Sequence, residues 1–269
     1  MKDKVVIITG ASSGIGKALA IEFASRGAKV VIASRSFPKL EELNNKLVLK
    51  GTESLPIVAD VSSEADCRNL ITETIKRFGK IDILINNAGI SMRALFDDCD
   101  LDVIRRLMDV NFWGTVYCTK YALPYLLDSK GSVVGVISIA GYIGLPGRTG
   151  YSASKFAIRG FLDTIRVENL KKDLHVLVVA PGFTASNIRN VALTAEGTLQ
   201  GETPRDESKM MSAETVATKI ADAIKRRKSS LILTFVEGKL TVFLSKWFPR
   251  WLDYLSYNHM AKEPNSPFK

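Results

Sequence analysis

The feature that most constrains the fold of this chain is a regular alternation of short apolar strands with helical segments. The predicted strands are rich in β-branched residues and span Lys4–Thr9, Lys29–Ala33, Leu55–Ala59, Ile81–Ile85, Ser132–Ser138, His175–Ala180 and Leu231–Thr234. Apolar residues at helical spacing predict helices between them, at Ile15–Arg26, Pro38–Lys50, Ser63–Phe78, Asp100–Leu127, Tyr151–Lys171 and Ser212–Arg227. Strands this apolar are typical of a parallel sheet that helices cover on both faces. Right-handed crossovers then predict an α/β fold with a doubly wound, seven-stranded parallel sheet.

One domain accounts for most of the chain. The 269 residues are 46% hydrophobic, which suffices for a sizeable core, and no Pro/Gly/Ser-rich linker interrupts the alternation. We assign residues 1–238 to this domain and residues 239–269 to a C-terminal helical tail. Cys67, Cys99 and Cys118 are far apart and odd in number, which argues against a disulfide framework and for a reducing compartment. No cysteine has a nearby His or Cys partner in the sequence, and the chain has only two histidines, so we expect no metal site.

Charge and hydropathy limit the partners and the location of the protein. The net charge of +9 is partly concentrated in Lys225–Lys228, which we interpret as a solvated helix end rather than as a patch for an anionic surface. We expect no nucleic-acid partner. The N-terminus lacks a signal-peptide apolar region, and no apolar run approaches the ~20 residues of a membrane-spanning helix. The sequence thus predicts a cytoplasmic protein that attaches at most to a membrane surface.

A glycine-rich turn joins the first strand to the first helix. Its sequence is Thr9-Gly10-Ala11-Ser12-Ser13-Gly14-Ile15-Gly16. The three glycines permit a tight exit from the strand, close approach of a pyrophosphate to the backbone, and close packing of the helix on the sheet. The two serines can donate hydroxyl groups to phosphate oxygens. A glycine turn alone is also consistent with a mere tight connection, but its position favours a dinucleotide site formed by Gly10, Ser12, Ser13, Gly14, Ile15 and Gly16.

The ends of the next three strands supply further candidate cofactor contacts. NAD-preferring folds usually place an acid after strand two, whereas this chain has Ser34 and Arg35, which suit the 2′-phosphate of NADP. Asp60-Val61 follows strand three, where the carboxylate either accepts from the adenine amino group or caps the next helix. Asn86-Asn87-Ala88-Gly89 follows strand four, where Asn87, Ala88 and Gly89 let backbone lie against the cofactor ribose, although one asparagine can instead tie strands together. We predict NADP(H) in preference to NAD(H).

Three side chains later in the chain suit proton transfer. Tyr151 and Lys155 are four residues apart in a helical pattern and therefore share one helix face. A nearby ammonium lowers the pKa of a phenol, which can then protonate a carbonyl oxygen. Ser138 ends strand five and can donate to the same oxygen. Tyr-x-x-x-Lys also arises by chance, so spacing alone leaves a structural role for Tyr151 open.

Together these motifs resemble the short-chain dehydrogenase/reductase family. The resemblance runs from about Lys2 to Thr234, in family order, and the matching residues are Thr9-Gly10-Ala11-Ser12-Ser13-Gly14-Ile15-Gly16, Asp60, Asn86-Asn87-Ala88-Gly89, Asn111, Ser138, Tyr151-Ser152-Ala153-Ser154-Lys155 and Pro181-Gly182. It implies a single Rossmann-type domain. It also implies a homodimer or homotetramer, for which the two long helices Asp100–Leu127 and Tyr151–Lys171 are the candidate interface.

The resemblance implies roles that the residues alone do not reveal. Asn111 would hold a water in a proton relay that reaches Lys155. Pro181-Gly182 would border the nicotinamide, with Thr184 and Ser186 near its carboxamide. Ser186 replaces the usual threonine there. The polar segment Thr184–Met211 would be a lid over the substrate, whereas its residues alone are equally consistent with a surface loop.

The substrate side is expected to be apolar. The residues expected to face the substrate are Met92, Ile139, Ala140, Gly141, Tyr142, Leu145 and Phe183. Most of these side chains carry no charge or hydrogen-bonding group. We therefore expect a hydrophobic, lipid- or steroid-like carbonyl compound or alcohol as the small-molecule substrate.

The C-terminal tail carries an aromatic stripe. Residues on one helical face are Leu240, Phe243, Leu244, Trp247, Phe248, Trp251 and Leu255. Lys246 and Arg250 flank the stripe, and Pro249 should kink the helix or start a second one. We favour packing of this face on the sheet, the lid or a partner subunit, and keep peripheral membrane contact through residues 240–257 as the alternative. The tail also resembles the branch of 11-beta-hydroxysteroid dehydrogenase-like and dehydrogenase/reductase member 7 proteins.

Two functions are consistent with these features. The first is an NADP(H)-dependent oxidoreductase that interconverts a ketone or aldehyde and an alcohol, with Asn111, Ser138, Tyr151 and Lys155 as the catalytic set. The second is a catalytically quiet NADP-binding protein whose tail docks a partner or a membrane. The intact Ser/Tyr/Lys set favours the first.

Overall fold

Seven parallel strands form one sheet in the computed structural model, which describes residues 1–185, 188–201, 210–262 and 266–268. The strands are β1 (Val5–Thr9), β2 (Lys29–Ser34), β3 (Ser54–Val58), β4 (Ile83–Asn86), β5 (Ser132–Val136), β6 (His175–Ala180) and β7 (Ser230–Ile232). Their order is β3-β2-β1-β4-β5-β6-β7, so the chain changes direction across the sheet between β1 and β4. Every neighbouring pair is parallel, and the carboxyl ends of the strands therefore share one edge. This confirms the predicted fold class.

Helices cover both faces of the sheet because successive strand residues point to opposite sides. The helices are α1 (Gly14–Ser25), α2 (Phe37–Val48), α3 (Glu64–Phe78), α4 (Leu101–Leu107), α5 (Gly114–Asp128), α6 (Thr149–Glu168), α7 (Ala213–Lys225), α8 (Thr241–Trp247) and α9 (Pro249–Ala261). In β1, Val6 and Ile8 belong to a core cluster with α1, α2 and α7. Val5 and Ile7 belong to a second cluster with α3, α5 and α6.

The helix predicted over Asp100–Leu127 is interrupted. A wide π-turn at Met108–Trp113 separates α4 from α5. Asn111 lies in this turn and is fully buried. Its side-chain amide bonds both the N–H and the carbonyl of Ile90, at 2.8 and 3.0 Å. A single-turn π-bulge inside an α-helix often marks a functional position, and here it contains the buried polar residue Asn111.

Two cysteines that are far apart in the sequence are neighbours in the structure. Cys67 on α3 and Cys118 on α5 are both fully buried, and their sulfur atoms lie 3.5 Å apart as free thiols. The hydrogen bond with Cys67 and burial raise the pKa of the Cys118 thiol. Sequence distance concealed the contact because α3 and α5 pack side by side. Among the described residues, no group of three or more His, Cys, Asp and Glu side chains is arranged to hold a metal ion.

Several strand boundaries differ from prediction by one or two residues, and the start of β4 and the end of β7 have an evident physical reason. β4 begins at Ile83 rather than Ile81, and Asp82 instead turns its carboxylate to the Val5 N–H and the Lys4 ammonium, at 2.9 and 2.7 Å. β7 ends at Ile232, because the chain leaves the strand direction at Thr234, whose φ is +67°. Neither shift changes the topology.

The tail forms two helices, and its aromatic stripe is exposed. Pro249 begins α9 and thus starts a second helix, which is one of the two predicted outcomes. The residues that pack on the body are Val242, Leu252 and Met260. The stripe residues Phe243, Trp247, Phe248 and Trp251 are 54–68% exposed, so the favoured packing of this face on the chain's own sheet or lid does not occur among the described residues.

Two other surface predictions concern charge and membrane insertion. Lys225 lies in the last turn of α7, and Arg227 just beyond it pairs with Asp173 at 2.9 Å, as a solvated helix end would.

No helix in the described part of the chain combines the length and apolar character needed to cross a bilayer.

Candidate active site

A cleft of about 810 Å³ opens at the edge formed by the carboxyl ends of the strands. All predicted cofactor contacts line it, namely Gly10, Ser12, Ser13, Gly14, Ile15, Gly16, Ser34, Arg35, Asp60, Val61, Asn87, Ala88, Gly89, Tyr151, Lys155, Pro181, Gly182 and Thr184. Ser138 lines the same cleft. Ser186 lies outside the described residues, as does part of the predicted lid, residues 202–209. The fold thus brings together residues from six strand ends.

The glycine turn is packed so tightly that side chains are excluded. A Cβ on Gly16 would lie 2.2 Å from the Gly10 carbonyl oxygen and 2.6 Å from the Asn87 side chain. Gly10 has a φ of +66°, which favours glycine, and a Cβ there would lie 2.8 Å from the Ala88 Cα. The turn and the end of β4 are therefore in direct backbone contact.

The two asparagines at the end of β4, Asn86 and Asn87, both hold elements together. Asn87 donates its side-chain amide to the Thr9 carbonyl at 2.9 Å, and the Thr9 hydroxyl accepts from the Asn87 and Ala88 N–H groups at 3.0 Å each. Asn86 is buried and donates to the Thr119 hydroxyl at 3.1 Å. The alternative that one asparagine ties strands together is confirmed, and Asn87 does so while also lining the cleft.

Polar and basic side chains gather at the end of the cleft beside β2 and β3. Ser34 is buried, and the Arg35 guanidinium is 70% exposed and 4.0 Å from the Asp60 carboxylate. Asp60 accepts from the Ser62 N–H and hydroxyl, at 3.0 and 2.7 Å. The alternative that Asp60 caps the next helix is wrong, since Ser63 accepts from the Asp66 N–H and caps α3.

Lys39 is a cleft residue that the sequence analysis missed. It lines the cleft together with Ser34, Arg35 and Ser36. A signal was present, since a lysine in the first turn of the helix after strand two lies near the strand end that carries Arg35. Lys39 adds a second cation where a 2′-phosphate would lie.

Tyr151, Ser138 and Lys155 lie together at the other end of the cleft. Tyr151 is 8% exposed and Lys155 is 2% exposed, both on α6. The Lys155 ammonium lies 5.6 Å from the centre of the Tyr151 ring and donates to the Val136 carbonyl at 3.1 Å. Burial lowers the pKa of Lys155 to about 8. Ser138 follows β5 and accepts from the Ala140 N–H at 3.2 Å, which fixes its rotamer.

The electrostatic surroundings of the phenol differ from the sequence expectation. Burial raises the pKa of Tyr151, whereas a hydrogen bond with Ser138 and the positive charge of Arg148 act to lower it. From the sequence, Lys155 was expected to be the cation that lowers the pKa of the phenol. Arg148 is the residue that the sequence analysis missed, although it stands three positions before Tyr151, within one helical turn.

Asn111 lies behind this group rather than in the cleft wall. Besides its two bonds to Ile90, it donates to the Ser154 hydroxyl at 2.9 Å. A Cβ on Gly89 would lie 3.1 Å from the Asn111 side-chain oxygen and 3.3 Å from the Lys155 ammonium. Asn111 and Lys155 therefore flank the same backbone position, which agrees with the predicted connection between them.

The apolar wall beside Tyr151 differs in part from prediction. Leu145 and Phe183 line the cleft, but Met92 is fully buried in a cluster with Tyr151, and residues 139–142 do not line the cleft. Tyr142 instead lies under the Arg159 guanidinium, 4.0 Å from its ring centre. Other apolar residues that line the cleft include Ile90, Val110, Ile188, Val191, Leu193 and Leu199.

The residues of the cleft fit a nicotinamide dinucleotide. One end offers Arg35 and Lys39 to an anionic group, and the middle offers the Ser12 and Ser13 hydroxyls with the N-terminus of α1. The other end holds a buried ammonium, Lys155, beside a phenol. An elongated ligand with phosphates at one end and a polar ring with ribose hydroxyls at the other matches this order of donors.

Comparisons with known proteins agree with this arrangement. Residues 4–196 match the family model described as short chain dehydrogenase. The chain is 35% identical to dehydrogenase/reductase SDR family member 7B of Rattus norvegicus, over 99% of this chain and 84% of that protein. It is 37% identical to 11-beta-hydroxysteroid dehydrogenase A of Sesamum indicum, over 91% of this chain and 69% of that protein. A short chain dehydrogenase/reductase from Burkholderia phymatum, solved in complex with NAD, superposes with a TM-score of 0.77 at 26% identity, over 86% of this chain and 88% of that one.

Proposed function

Since the chain belongs to the short chain dehydrogenase family and is an oxidoreductase, we propose that it interconverts a ketone or aldehyde and an alcohol with NADP(H) as cofactor. The observation that carries the proposal is the meeting of Tyr151, Ser138 and Lys155 at one end of a cleft whose other end is basic. The proposed substrate is an apolar small molecule.

The proposed mechanism assigns one task to each polar side chain. A bound nicotinamide supplies the hydride to the carbonyl carbon, or accepts it from the alcohol. Tyr151 gives its phenolic proton to the carbonyl oxygen in reduction and takes it back in oxidation. Ser138 donates a hydrogen bond to the same oxygen and fixes its position. Lys155, whose pKa is about 8, is mostly protonated at neutral pH and holds ribose hydroxyls and the proton path behind Tyr151.

Asn111 supports this proton path. Its side chain is held by Ile90 and Ser154, so its position does not depend on substrate. From this position we propose that it orients a water that connects to Lys155. Pro181, Gly182 and Thr184, which follow β6, form the proposed wall against the nicotinamide.

The preference for NADP(H) rests on the basic end of the cleft. Arg35 and Lys39 are the cations there, and Ser34 adds a hydroxyl group. A phosphate that accepts charge-assisted hydrogen bonds from these groups binds more tightly than a ribose hydroxyl. The Asp60 carboxylate, which lines this end of the cleft, already accepts two bonds from Ser62, which fits a place beside the adenine.

We expect the purified protein to oxidise NADPH when a panel of bulky apolar ketones and aldehydes is supplied, followed by the absorbance of the reduced nicotinamide. NADH should support slower turnover. In Arg35→Asp/Lys39→Ala, the ratio of kcat/KM for NADPH to that for NADH should fall at least about tenfold, because each charge-assisted bond contributes about 1.5–3 kcal/mol. Lys46→Ala removes a cation from the same helix outside the cleft and should leave the ratio unchanged. An unchanged ratio in the double variant would remove both cations from the proposal, and failure of every carbonyl compound would refute the activity.

The substrate end is proposed to lie under a lid formed by residues 184–211. Ile188, Val191, Leu193 and Leu199 come from this segment and line the cleft with apolar groups.

We also propose that the main domain ends at residue 238 and that the C-terminal tail follows it. A homodimer or homotetramer through α5 and α6 is proposed as well. The exposed rings of Trp113, just before α5, and Phe156 on α6 support it, and Trp113 stacks on Tyr117 of α5.

We also propose that the tail contacts a membrane surface through residues 240–257. Trp247, Phe248 and Trp251 are each more than half exposed, and Lys246 and Arg250 flank them. Aromatic rings beside basic groups suit the interface of a bilayer that contains anionic lipids.

Sedimentation with vesicles tests this contact. The full-length protein should pellet with vesicles of phosphatidylcholine and phosphatidylserine, and Trp247→Ser/Trp251→Ser should weaken the apparent affinity at least about tenfold, since burial of one aromatic side chain contributes about 1.5–3 kcal/mol. Leu49→Ser/Leu170→Ser removes two exposed apolar side chains elsewhere and serves as the control. Equal pelleting of the double variant and the wild type would refute membrane contact through the stripe. Loss of self-association in the tail variant, without vesicle binding by the wild type, would assign the stripe to a second copy.

A further inference from the structure

Arg148 is a buried cation at the entrance to α6. It is 9% exposed, lines the cleft and immediately precedes Thr149, the first residue of the helix. Its Nη1 atom donates to the Met92 carbonyl at 3.0 Å and lies 3.4 Å from the Ser91 hydroxyl oxygen. A buried arginine is costly unless it is paired with polar groups, so these contacts define its orientation.

The contacts of Arg148 fasten the loop that follows β4. Next to the guanidinium contacts, the Ala94 N–H donates to the Gly147 carbonyl at 3.0 Å, and Ala94 pairs with Arg148 in a short parallel bridge. The other end of this loop is held by Asn111 through Ile90. The loop is therefore fixed at one end to the π-turn and at the other to the first turn of α6, directly beside Tyr151.

The charge of Arg148 acts on the same phenol. Burial raises the pKa of Tyr151, and the positive charge of Arg148 opposes that rise together with the Ser138 hydrogen bond. An arginine stays protonated at every pH at which an enzyme works. Lys155 has a pKa of about 8 and loses its charge above that pH. In the alkaline range that favours alcohol oxidation, Arg148 is thus the cation on α6 that persists beside the phenol.

Other ionisable groups also surround the phenol and must be considered. Arg35, Lys39 and Asp60 line the far end of the cleft, beside β2 and β3. The other ionisable groups that line the cleft or pack against the cluster of Tyr151 are Lys155 on α6, Arg106 on α4, Asp109 in the π-turn, Cys99 before α4 and Arg189 after β6. Burial, Asp100 and Glu196 raise the pKa of Cys99, which keeps that thiol neutral near pH 7.

We propose that Arg148 is a positioning residue for the reaction, which holds the loop after β4 against the first turn of α6 and keeps a permanent positive charge beside the Tyr151 phenol. The inference rests on the proposed function, because it concerns the residue proposed there as the acid and base. It goes beyond that function by adding a group that touches neither substrate nor cofactor in the mechanism above. Such a group acts on the proton transfer rather than on binding.

The test compares Arg148→Met, Arg148→Lys and the wild type over a range of pH in both reaction directions. Without the charge, the phenolate forms at higher pH, so the rising limb of kcat/KM for alcohol oxidation should move to higher pH in Arg148→Met. At neutral pH, kcat of Arg148→Met should fall about tenfold or more, within the range that general acid–base catalysis contributes. In the reduction direction, KM for NADPH should change less than twofold. Below pH 8, Arg148→Lys should restore part of the reaction rate that Arg148→Met loses. Arg166→Met removes an arginine from the far end of the same helix and should leave the profile unchanged.

A direct titration avoids any reliance on turnover. The absorbance of tyrosinate is measured against pH in each Arg148 variant and in the same variant with Tyr151→Phe, and the difference isolates one of the seven tyrosines. The titration of Tyr151 should move to higher pH in Arg148→Met. If wild type is active and a folded Arg148→Met shows the wild-type pH profile and titration, the inference is wrong while the proposed function stands. If wild type reduces no carbonyl compound, the proposed function fails, and the titration alone still decides whether the charge acts on the phenol.

Discussion

Replacing Tyr151 with phenylalanine is expected to lower kcat/KM for carbonyl reduction by about 10²–10⁴-fold. The change deletes one oxygen atom from a side chain that is 8% exposed and leaves the ring in its cluster with Met92 and Leu107. The carbonyl oxygen would then lose its proton donor at the moment when hydride reaches the carbon. Stopped-flow or steady-state absorbance of NADPH measures the loss.

Binding and folding should survive this substitution, which makes the result interpretable. NADPH fluorescence should give a dissociation constant within about threefold of wild type, because the proposed cofactor contacts of the glycine turn and Arg35 remain. Tyr254→Phe, at a position 73% exposed on α9, is the matched control and should retain full activity. If Tyr151→Phe keeps the wild-type rate, the acid and base assignment is wrong, and a catalytically quiet NADP-binding protein becomes the better description only if the wild type is inactive as well.

A methyl group at Gly16 is expected to damage both folding and cofactor binding. The Cβ of Gly16→Ala would lie 2.2 Å from the Gly10 carbonyl oxygen, so either α1 or the turn must move. Overpacking of this kind costs about 1–3 kcal/mol of unfolding free energy. The same movement displaces the backbone that approaches the phosphates, so we expect NADPH affinity to fall further than stability alone requires. Thermal unfolding with and without NADPH measures both effects.

Gly160→Ala provides the opposite control on α6. No atom lies within 4 Å of the position that its Cβ would take, and the glycine is exposed inside a helix. Replacement of such a glycine by alanine stabilises a helix by about 0.5–1 kcal/mol. A Gly16→Ala protein as stable as wild type, with unchanged NADPH affinity, would contradict the tight packing of the turn.

The sheet and its helices were predictable because their signals are local. Val5–Thr9, Lys29–Ser34 and His175–Ala180 are short runs that bury both faces, and such runs read as near-continuous apolar segments. The glycine turn and the strand ends then had to meet, because the carboxyl ends of parallel strands share one edge. The π-turn at Met108–Trp113 was not predictable from periodicity, since one extra residue in a helix leaves the apolar spacing nearly intact.

Several features that escaped prediction depend on contacts between distant elements. Arg148 acts through Met92, and Cys67 meets Cys118, in each case across more than fifty residues of sequence. The sequence around Arg148 does not indicate that it contacts Met92, and the sequence around Cys67 does not indicate that it contacts Cys118. The expected substrate wall at Ile139–Tyr142 failed for a related reason, because the short turn after Ser138 directs Tyr142 towards Arg159 instead of the cleft.

The order of the strands has a consequence for how such a protein can diversify. The chain completes β1 to β3 before it crosses the sheet and builds β4 to β7. The groups proposed to select the dinucleotide are therefore encoded in the first quarter of the sequence, and those proposed to handle the substrate are encoded after it. Recombination between relatives near the crossover would exchange coenzyme choice without touching the reacting groups. A lineage with this topology can therefore inherit its two specificities separately.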